Sequence, residues 1–174
     1  MDLAEKINRV SRLEGEFTLR SGKKSTEYFD KYQFESDPQL LMEIAKEISE
    51  FVPVDIDYLA AMEMGGIPIA TMLSYYLDIP VVYVRKESKG YGTDKVAEGP
   101  DIVGKRLCIV EDVITSGGQV VLSTNQLRHL GATVNYCVCV IEREEGGRKN
   151  LDAAGIQLQS LFQKSDLKNV SQAI

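Results

Sequence analysis

The stretch from Arg106 to Leu130 constrains the fold of this chain more than any other. It begins with a short apolar run, Leu107 to Val110, of the kind that forms a buried strand. Hydroxyl residues and glycines follow from Thr115 to Gly118, and Val120 to Leu130 has the pattern of a helix that ends before Gly131. A strand, a glycine-containing loop and a helix N-terminus bring backbone N–H groups and the helix dipole together. The stretch therefore predicts a cradle for a phosphate group.

Two carboxylates, Glu111 and Asp112, stand at the end of this predicted strand, just before the loop. A simple phosphate site would avoid two negative charges. The acids therefore indicate other work, such as accepting hydrogen bonds from ribose hydroxyls or lying near a metal-bound anion. The loop has neither the G-x-x-x-x-G-K-[ST] nor the G-x-G-x-x-G spacing. From the residues alone, an ordinary strand-to-helix turn with acidic side chains remains the alternative.

Strands and helices alternate along the rest of the chain, which predicts an α/β fold with a mainly parallel twisted sheet flanked by helices. Ligands of such sheets bind at the carboxyl ends of the strands. We predict strands over residues 58–62, 80–84, 107–110, 134–141 and, at an outer edge, 156–162. We predict helices over 2–13, 38–52, 67–77, 120–130 and 147–154, with a last one capped by Ser165 and Asp166.

Length and composition limit the class of protein. At 174 residues the chain suits one domain with a substantial core. A net charge of −6 argues against nucleic-acid binding, and no apolar run is long enough to predict a membrane span. The sequence has no secretory signal and no C-x-x-C pair, and Cys137 and Cys139 alternate with Val138 as if to pack inward. These features predict a location in a reducing cytoplasm.

Three further segments carry cations whose ordinary explanation is a solvated surface. The first, Gly15 to Ser25, is an extended segment that turns at Ser21 and Gly22. Tyr28 and Phe29 follow it, and an aromatic side chain beside this cationic turn would cover a flat anionic ligand. The second follows a buried strand and contains Arg85, Lys86 and Lys89. This polar connection is long for a loop without regular structure, as lids and binding loops often are.

The third segment places Arg143 among acidic residues after a predicted strand. A local ion pair with Glu144 or Glu145 would explain it and would contribute little if exposed. Alternatively, those acids hold Arg143 so that it clamps a substrate carboxylate through two hydrogen bonds.

The run VEDVITSGG resembles the ribose-phosphate signature of type I phosphoribosyltransferases. Four stretches together resemble orotate phosphoribosyltransferases, from Phe17 to about Leu167: FTLRSGKKS with YFD, MGGIPIA, RKESKGYGT with EG, and VEDVITSGG with EREEGG. The resemblance implies a type I phosphoribosyltransferase fold. It also implies a single domain over 1–174, with a hood from about residue 1 to 35 plus the C-terminal segment and a core from about 36 to 160.

The resemblance further implies a reaction of PRPP with orotate, giving orotidine 5′-phosphate and pyrophosphate in the de novo synthesis of UMP. It implies Mg²⁺ carried by PRPP, without a protein ligand that the sequence identifies, and a homodimer whose lid covers the neighbouring subunit's site. The implied PRPP-binding residues are Arg85, Lys86, Lys89, Glu111, Asp112, Val113, Ile114, Thr115, Ser116, Gly117, Gly118 and Gln119. Lys89 and Asp112 would be catalytic.

Orotate would be bound by Thr115 and Arg143, with Arg20, Tyr28 and Phe29 as further candidates, and Tyr91 and Gly92 would belong to the lid. The chain departs from many members of the family at Tyr91, where they have histidine, and at Arg20, where they have lysine. Two other functions remain alternatives: transfer to another base such as a purine, and a non-catalytic nucleotide-sensing module on the same fold.

Overall fold

The structure is a computed structural model that describes residues 1–18, 22–87 and 95–169. Its helices are α1 (Leu3–Ser11), α2 (Tyr32–Glu35), α3 (Pro38–Ser49), α4 (Gly66–Leu77), α5 (Gly118–His129), α6 (Gly147–Ala153) and α7 (Lys164–Asn169). Its strands are β1 (Arg12–Thr18), β2 (Lys24–Phe29), β3 (Tyr58–Met62), β4 (Val81–Val84), β5 (Ala97–Glu98), β6 (Arg106–Ile114), β7 (Thr133–Glu142) and β8 (Gln157–Gln163).

The central sheet has the strand order β5-β4-β3-β6-β7-β8 over the described residues. Every neighbouring pair from β4 to β8 is parallel, and only the two-residue β5 pairs in the antiparallel direction, with β4. The predicted mainly parallel sheet, with β8 at an outer edge, is therefore confirmed. Because the strands are parallel, the residues after β3, β4, β6 and β7 lie along the same edge.

The sheet separates two hydrophobic clusters. One contains Ile7, Ile44 and Ile69, which α1, α3 and α4 place on one face. The other contains Leu127 of α5 and Leu151 of α6 on the opposite face. No helix within the described residues is long and apolar enough to cross a membrane.

The cysteines are buried free thiols, and Cys137 and Cys139 point to the side of α5 and α6 while Val138 points to the other. The predicted inward packing is confirmed. Burial raises the pKa of the Cys108 thiol to about 12, so this side chain behaves as a small apolar group.

The N-terminal part forms an antiparallel hairpin beside the central sheet. The hairpin pairs β1 with β2 from Arg12 opposite Phe29 to Thr18 opposite Lys24, and residues 19–21 between them lie outside the described part of the chain. Helix α1 begins with a reciprocal cap between Asp2 and Glu5 and packs against α2, α3 and α7. The division of the chain into hood and core stays a prediction.

Several boundaries differ from those predicted. The first helix ends at Ser11 because the chain enters β1 at Arg12, and α3 ends at Ser49, after which Phe51 and Val52 make only turn-type hydrogen bonds. Helix α7 starts at Lys164, before the predicted cap, and Asp166 accepts the N–H of Gln163 at 2.7 Å. Helix α2 and strand β5 were not predicted, because each is too short to show a periodic pattern.

The prediction that β6 ends at Val110 was wrong. The strand keeps its pairing with β7 as far as Ile114, which lies opposite Glu142. Glu111 and Asp112 therefore lie inside the strand instead of following it. Because successive strand residues alternate between faces, Asp112 shares the face of Val110, on which α1 and α3 also pack.

Candidate active site

The predicted phosphate cradle lies at the N-terminus of α5, directly after β6. Thr115, Ser116 and Gly118 are exposed there, whereas Gly117 is buried. Gly117 has φ 72°, and a Cβ at this position would lie 2.3 Å from the side chain of Leu151. Only glycine combines this backbone conformation with such a close approach to α6.

Helix α6 contacts the cradle and the end of β7 through two residues, Asn150 and Arg148, that were not among the predicted site residues. The side-chain amide of Asn150 donates to the carbonyl of Ser116 at 2.9 Å. Arg148 donates to the buried carboxylate of Glu142 at 2.5 and 3.1 Å and so ties α6 to the end of β7. Neither contact has a local sequence signal, because each joins separate elements.

Three other predicted PRPP-binding residues have their side chains directed into the protein. Ile114 is buried, Val113 is half-buried against the core, and the Gln119 amide donates to the Ser123 hydroxyl at 3.2 Å. The carbonyl of Ile114 accepts the N–H of Arg143 at 2.8 Å. The side chains of Val113, Ile114 and Gln119 thus support the cradle from within the protein.

Asp112 is 1% exposed and lies at the centre of an ionisable cluster. Its Oδ1 accepts a hydrogen bond from the N–H of Val113, and its Oδ2 accepts one from the ammonium group of Lys31, which lies between β2 and α2. Oε1 of Glu111 accepts the N–H of Asp112 at 3.1 Å. Glu35, only 6% exposed, also lies within hydrogen-bonding reach of Asp112.

The pKa values in this cluster are driven apart. The pKa of Glu35 is raised to about 9, mainly by burial and further by the hydrogen bond and negative charge of Asp112. Burial likewise raises the pKa of Glu111 well above its usual range, again with a contribution from Asp112. Burial would also raise the pKa of Asp112, but hydrogen bonds from Glu35 and Lys31 outweigh it and lower that pKa.

The same neighbours also change the pKa of Lys31. Burial would lower its pKa, but the hydrogen bond and negative charge of Asp112 outweigh this effect, so that the pKa is raised. The cluster therefore favours an ionised Asp112 against a charged Lys31, and it favours the neutral forms of Glu35 and Glu111 beside them.

The segment after β3 approaches the same carboxylate. A Cβ on Gly65 would lie 1.6 Å from Oδ2 of Asp112, so only glycine fits here. Glu63 accepts the N–H of Lys86 at 2.7 Å and has Arg85 at 3.7 Å, while Arg85 also lies 3.9 Å from Glu98. The two cations after β4 are thus brought to the sheet edge that carries the cradle.

The residues predicted to bind orotate are partly placed. Arg143 follows β7, beside the end of β6, and lies 3.6 Å from Glu145, as expected for a local ion pair; both side chains are exposed. Tyr28 is exposed, with its ring centroid 5.5 Å from that of Phe17, whereas Phe29 packs against the core. Arg20, Lys89, Tyr91 and Gly92 lie outside the described residues.

Comparisons with known proteins agree with this geometry. A sequence model of the phosphoribosyl transferase domain matches residues 33–162. The orotate phosphoribosyltransferase of Nocardioides sp. is 48% identical over 171 residues, which are 98% of this chain and 96% of the relative. That of Methanocella arvoryzae is 41% identical over 167 residues, 95% of each chain.

The fold also matches solved structures of the same group. A crystal structure of the orotate phosphoribosyltransferase of Mycobacterium tuberculosis has a TM-score of 0.85 at 26% identity, and the match covers 95% of this chain and 96% of that one. The resemblance seen in the sequence motifs is thereby confirmed over nearly the whole length. This chain belongs to the phosphoribosyltransferase family and, within it, to the orotate phosphoribosyltransferases.

Proposed function

We propose that this chain transfers the 5-phosphoribosyl group of PRPP to orotate, releasing pyrophosphate and forming orotidine 5′-phosphate, a step of UMP synthesis. The observation that carries the proposal is the exposed Thr115-Ser116 loop at the N-terminus of α5, with Glu111 and Asp112 before it and Arg143 beside it. This one edge of the sheet thus carries a helix N-terminus for a phosphate, carboxylates for ribose hydroxyls and a guanidinium for the carboxylate of a base.

The cradle residues would bind the 5-phosphate through backbone N–H groups and the hydroxyls of Thr115 and Ser116. Glu111 and Asp112 would receive the ribose hydroxyls, and the ionised Asp112 would stabilise positive charge that develops on the ring as the bond from C1 to pyrophosphate breaks. Because Oδ1 of Asp112 accepts from Val113 and Oδ2 from Lys31, a ribose hydroxyl would have to take the place of one of these donors. Arg85 and Lys86 would meet the departing pyrophosphate. Such a reaction depends mainly on positioning and on charge stabilisation, so few acid–base groups are needed.

Orotate would be oriented by its carboxylate. The exposed Arg143 guanidinium is held loosely by Glu145 at 3.6 Å, which leaves its donors available for a bidentate contact. Thr115 lies close in the chain to the Ile114 carbonyl that binds the Arg143 backbone, so the base would lie between the cradle and this arginine. By the resemblance of its sequence motif to the family, Lys89 would act from a lid over the site.

We also propose Mg²⁺ as the cofactor, entering with PRPP and neutralising charge on its diphosphate. The donor set suits this arrangement, because Mg²⁺ commonly combines substrate phosphates and waters with at most one or two carboxylates. Within the described residues, no three His, Cys, Asp or Glu side chains are arranged to hold a metal. A homodimer and a cytoplasmic location are further parts of the proposal.

A turnover assay tests the proposed function. The chain is supplied with PRPP and Mg²⁺ and, separately, with orotate, uracil, adenine, guanine or hypoxanthine, and pyrophosphate release is followed. Release with orotate alone is expected. Release with a purine alone would retain the phosphate site and overturn the base, whereas PRPP binding without turnover of any base would favour the nucleotide-sensing module.

A further inference from the structure

Lys31 joins the end of the N-terminal hairpin to strand β6 through its contact with Asp112. The residue lies just after β2, and its ammonium donates to Oδ2 of Asp112, 81 positions further along the chain. Lys31 is one-third exposed, while Asp112 is almost wholly buried, so the lysine reaches inward from the surface to the acid. Lys31 lies outside the sequence motifs that imply the PRPP and orotate sites.

The surroundings of Asp112 explain why one cation matters so much. Its Oδ1 is occupied by the N–H of Val113, and the backbone of Gly65 closes the space beside Oδ2. The other ionisable groups in contact are the acids Glu35 and Glu111. Among the described residues, the positive charge that directly contacts this carboxylate is that of Lys31.

Without Lys31, the carboxylate would be left buried beside two other acids. An uncompensated buried charge is strongly unfavourable, so Asp112 would turn away or share a proton with its neighbours. Either change would reach Glu111 as well, because the carboxyl groups of Glu111 and Asp112 interact directly.

We infer that Lys31 is a positioning residue for PRPP: it holds the Asp112 carboxylate in place and thereby links the N-terminal hairpin to ribose binding. The inference rests on the proposed function, in which Asp112 and Glu111 bind the ribose. Lys31 itself touches neither the substrate nor the reacting atoms in this scheme, and it acts through Asp112.

The first test compares Lys31→Met with Lys31→Arg. The methionine keeps the aliphatic stem but not the charge, and we expect the affinity for PRPP to fall by about 10- to 100-fold, the effect of one hydrogen bond between charged groups. The KM for orotate should change little, and arginine should restore much of the PRPP affinity. PRPP affinity is measured by calorimetry, which does not depend on turnover or on the identity of the base.

A matched control is available on α1. Lys6 also makes an ion pair, at 2.7 Å, between the N-terminal part and α3, where Glu43 accepts it. Lys6→Met should leave PRPP affinity unchanged. If Lys6→Met and Lys31→Met weakened PRPP equally, general attachment of the N-terminal part would account for the effect, and the inference would be wrong.

A double-mutant comparison distinguishes positioning through Asp112 from any independent role. On an Asp112→Asn background, Lys31→Met should cause little further loss of PRPP affinity. An undiminished loss on that background would overturn the inference, as would wild-type PRPP affinity in Lys31→Met. If Lys31→Met fails to fold by circular dichroism, Lys31→Gln takes its place with the same expectations.

The same measurements separate this inference from the proposed function. A wild-type chain that binds PRPP but turns over no base would refute the transferase activity, while the calorimetric comparison would still decide the role of Lys31. A fully active wild type with an unaffected Lys31→Met would instead refute the positioning role alone.

Discussion

Glu35→Gln should change how the stability of the protein depends on pH. Glu35 is 6% exposed, its Oε1 has no hydrogen-bond partner among the described residues, and its pKa is raised to about 9. Burial is the main cause, and the neighbouring Asp112 adds to it. In the unfolded chain the group regains an ordinary pKa near 4.5.

The sign follows from proton linkage. Between about pH 4.5 and pH 9 the folded chain retains a proton that the unfolded chain has lost, so rising pH favours unfolding. The contribution of Glu35 is fully present below the lower value and is lost progressively up to the higher one. One proton corresponds to about 1.4 kcal/mol per pH unit, or about 2.7 kcal/mol between pH 6 and pH 8.

Urea denaturation followed by circular dichroism at pH 6, 7 and 8 measures the effect. Glutamine does not ionise, so the free energy of unfolding of Glu35→Gln, relative to wild type, should rise by about 2.7 kcal/mol across this range. Glu47→Gln, an exposed acid on α3, controls for the loss of one surface charge. Parallel pH profiles for wild type and Glu35→Gln would show that Glu35 does not hold the proton.

Three other substitutions test the site. Gly65→Ala should lower the thermal midpoint and abolish PRPP binding, because the new methyl group would overlap the carboxylate of Asp112; Gly118→Ala, whose Cβ meets its nearest atom at 3.7 Å, should keep a wild-type midpoint. Arg143→Ala should lower kcat/KM for orotate by about 10- to 100-fold while leaving PRPP affinity and stability nearly unchanged, and equal activity would count against the orotate assignment. Lys89→Ala should reduce kcat far more than PRPP affinity in steady-state and binding assays, whereas a loss confined to affinity would favour the sensing module.

The elements with local signals were predictable from sequence. Strand β3 was predicted with its observed bounds, because the apolar run Tyr58–Met62 follows Asp57 and is followed by Glu63 and then by Gly65 and Gly66. Asp37 caps α3 by accepting the N–H groups of Gln39 and Leu40, as its position before Pro38 indicates.

The end of β6 was not predictable in this way. A run of apolar residues followed by two acids normally indicates that a strand has reached solvent, and Asp112 is instead buried. The negative charge of Asp112 is tolerated because Lys31, from a distant part of the chain, donates a hydrogen bond to it. The residues next to Lys31 and Asp112 in the sequence do not indicate this pair. The same limit applies to Asn150, whose contact with Ser116 depends on how α6 docks against the cradle. Local pattern thus located the cradle, whereas its supporting contacts required the tertiary fold.

The distance in sequence between Lys31 and Asp112 has a consequence for the newly made chain. The lysine leaves the ribosome 81 residues before the acid, which at about 5–20 residues per second is roughly 4–16 s. During that interval Lys31 has no strand β6 to contact, and Asp112 cannot yet be enclosed. Glu111 and Asp112 therefore reach their final arrangement late in synthesis, so that a nascent chain can acquire much of its secondary structure before the proposed PRPP site is complete.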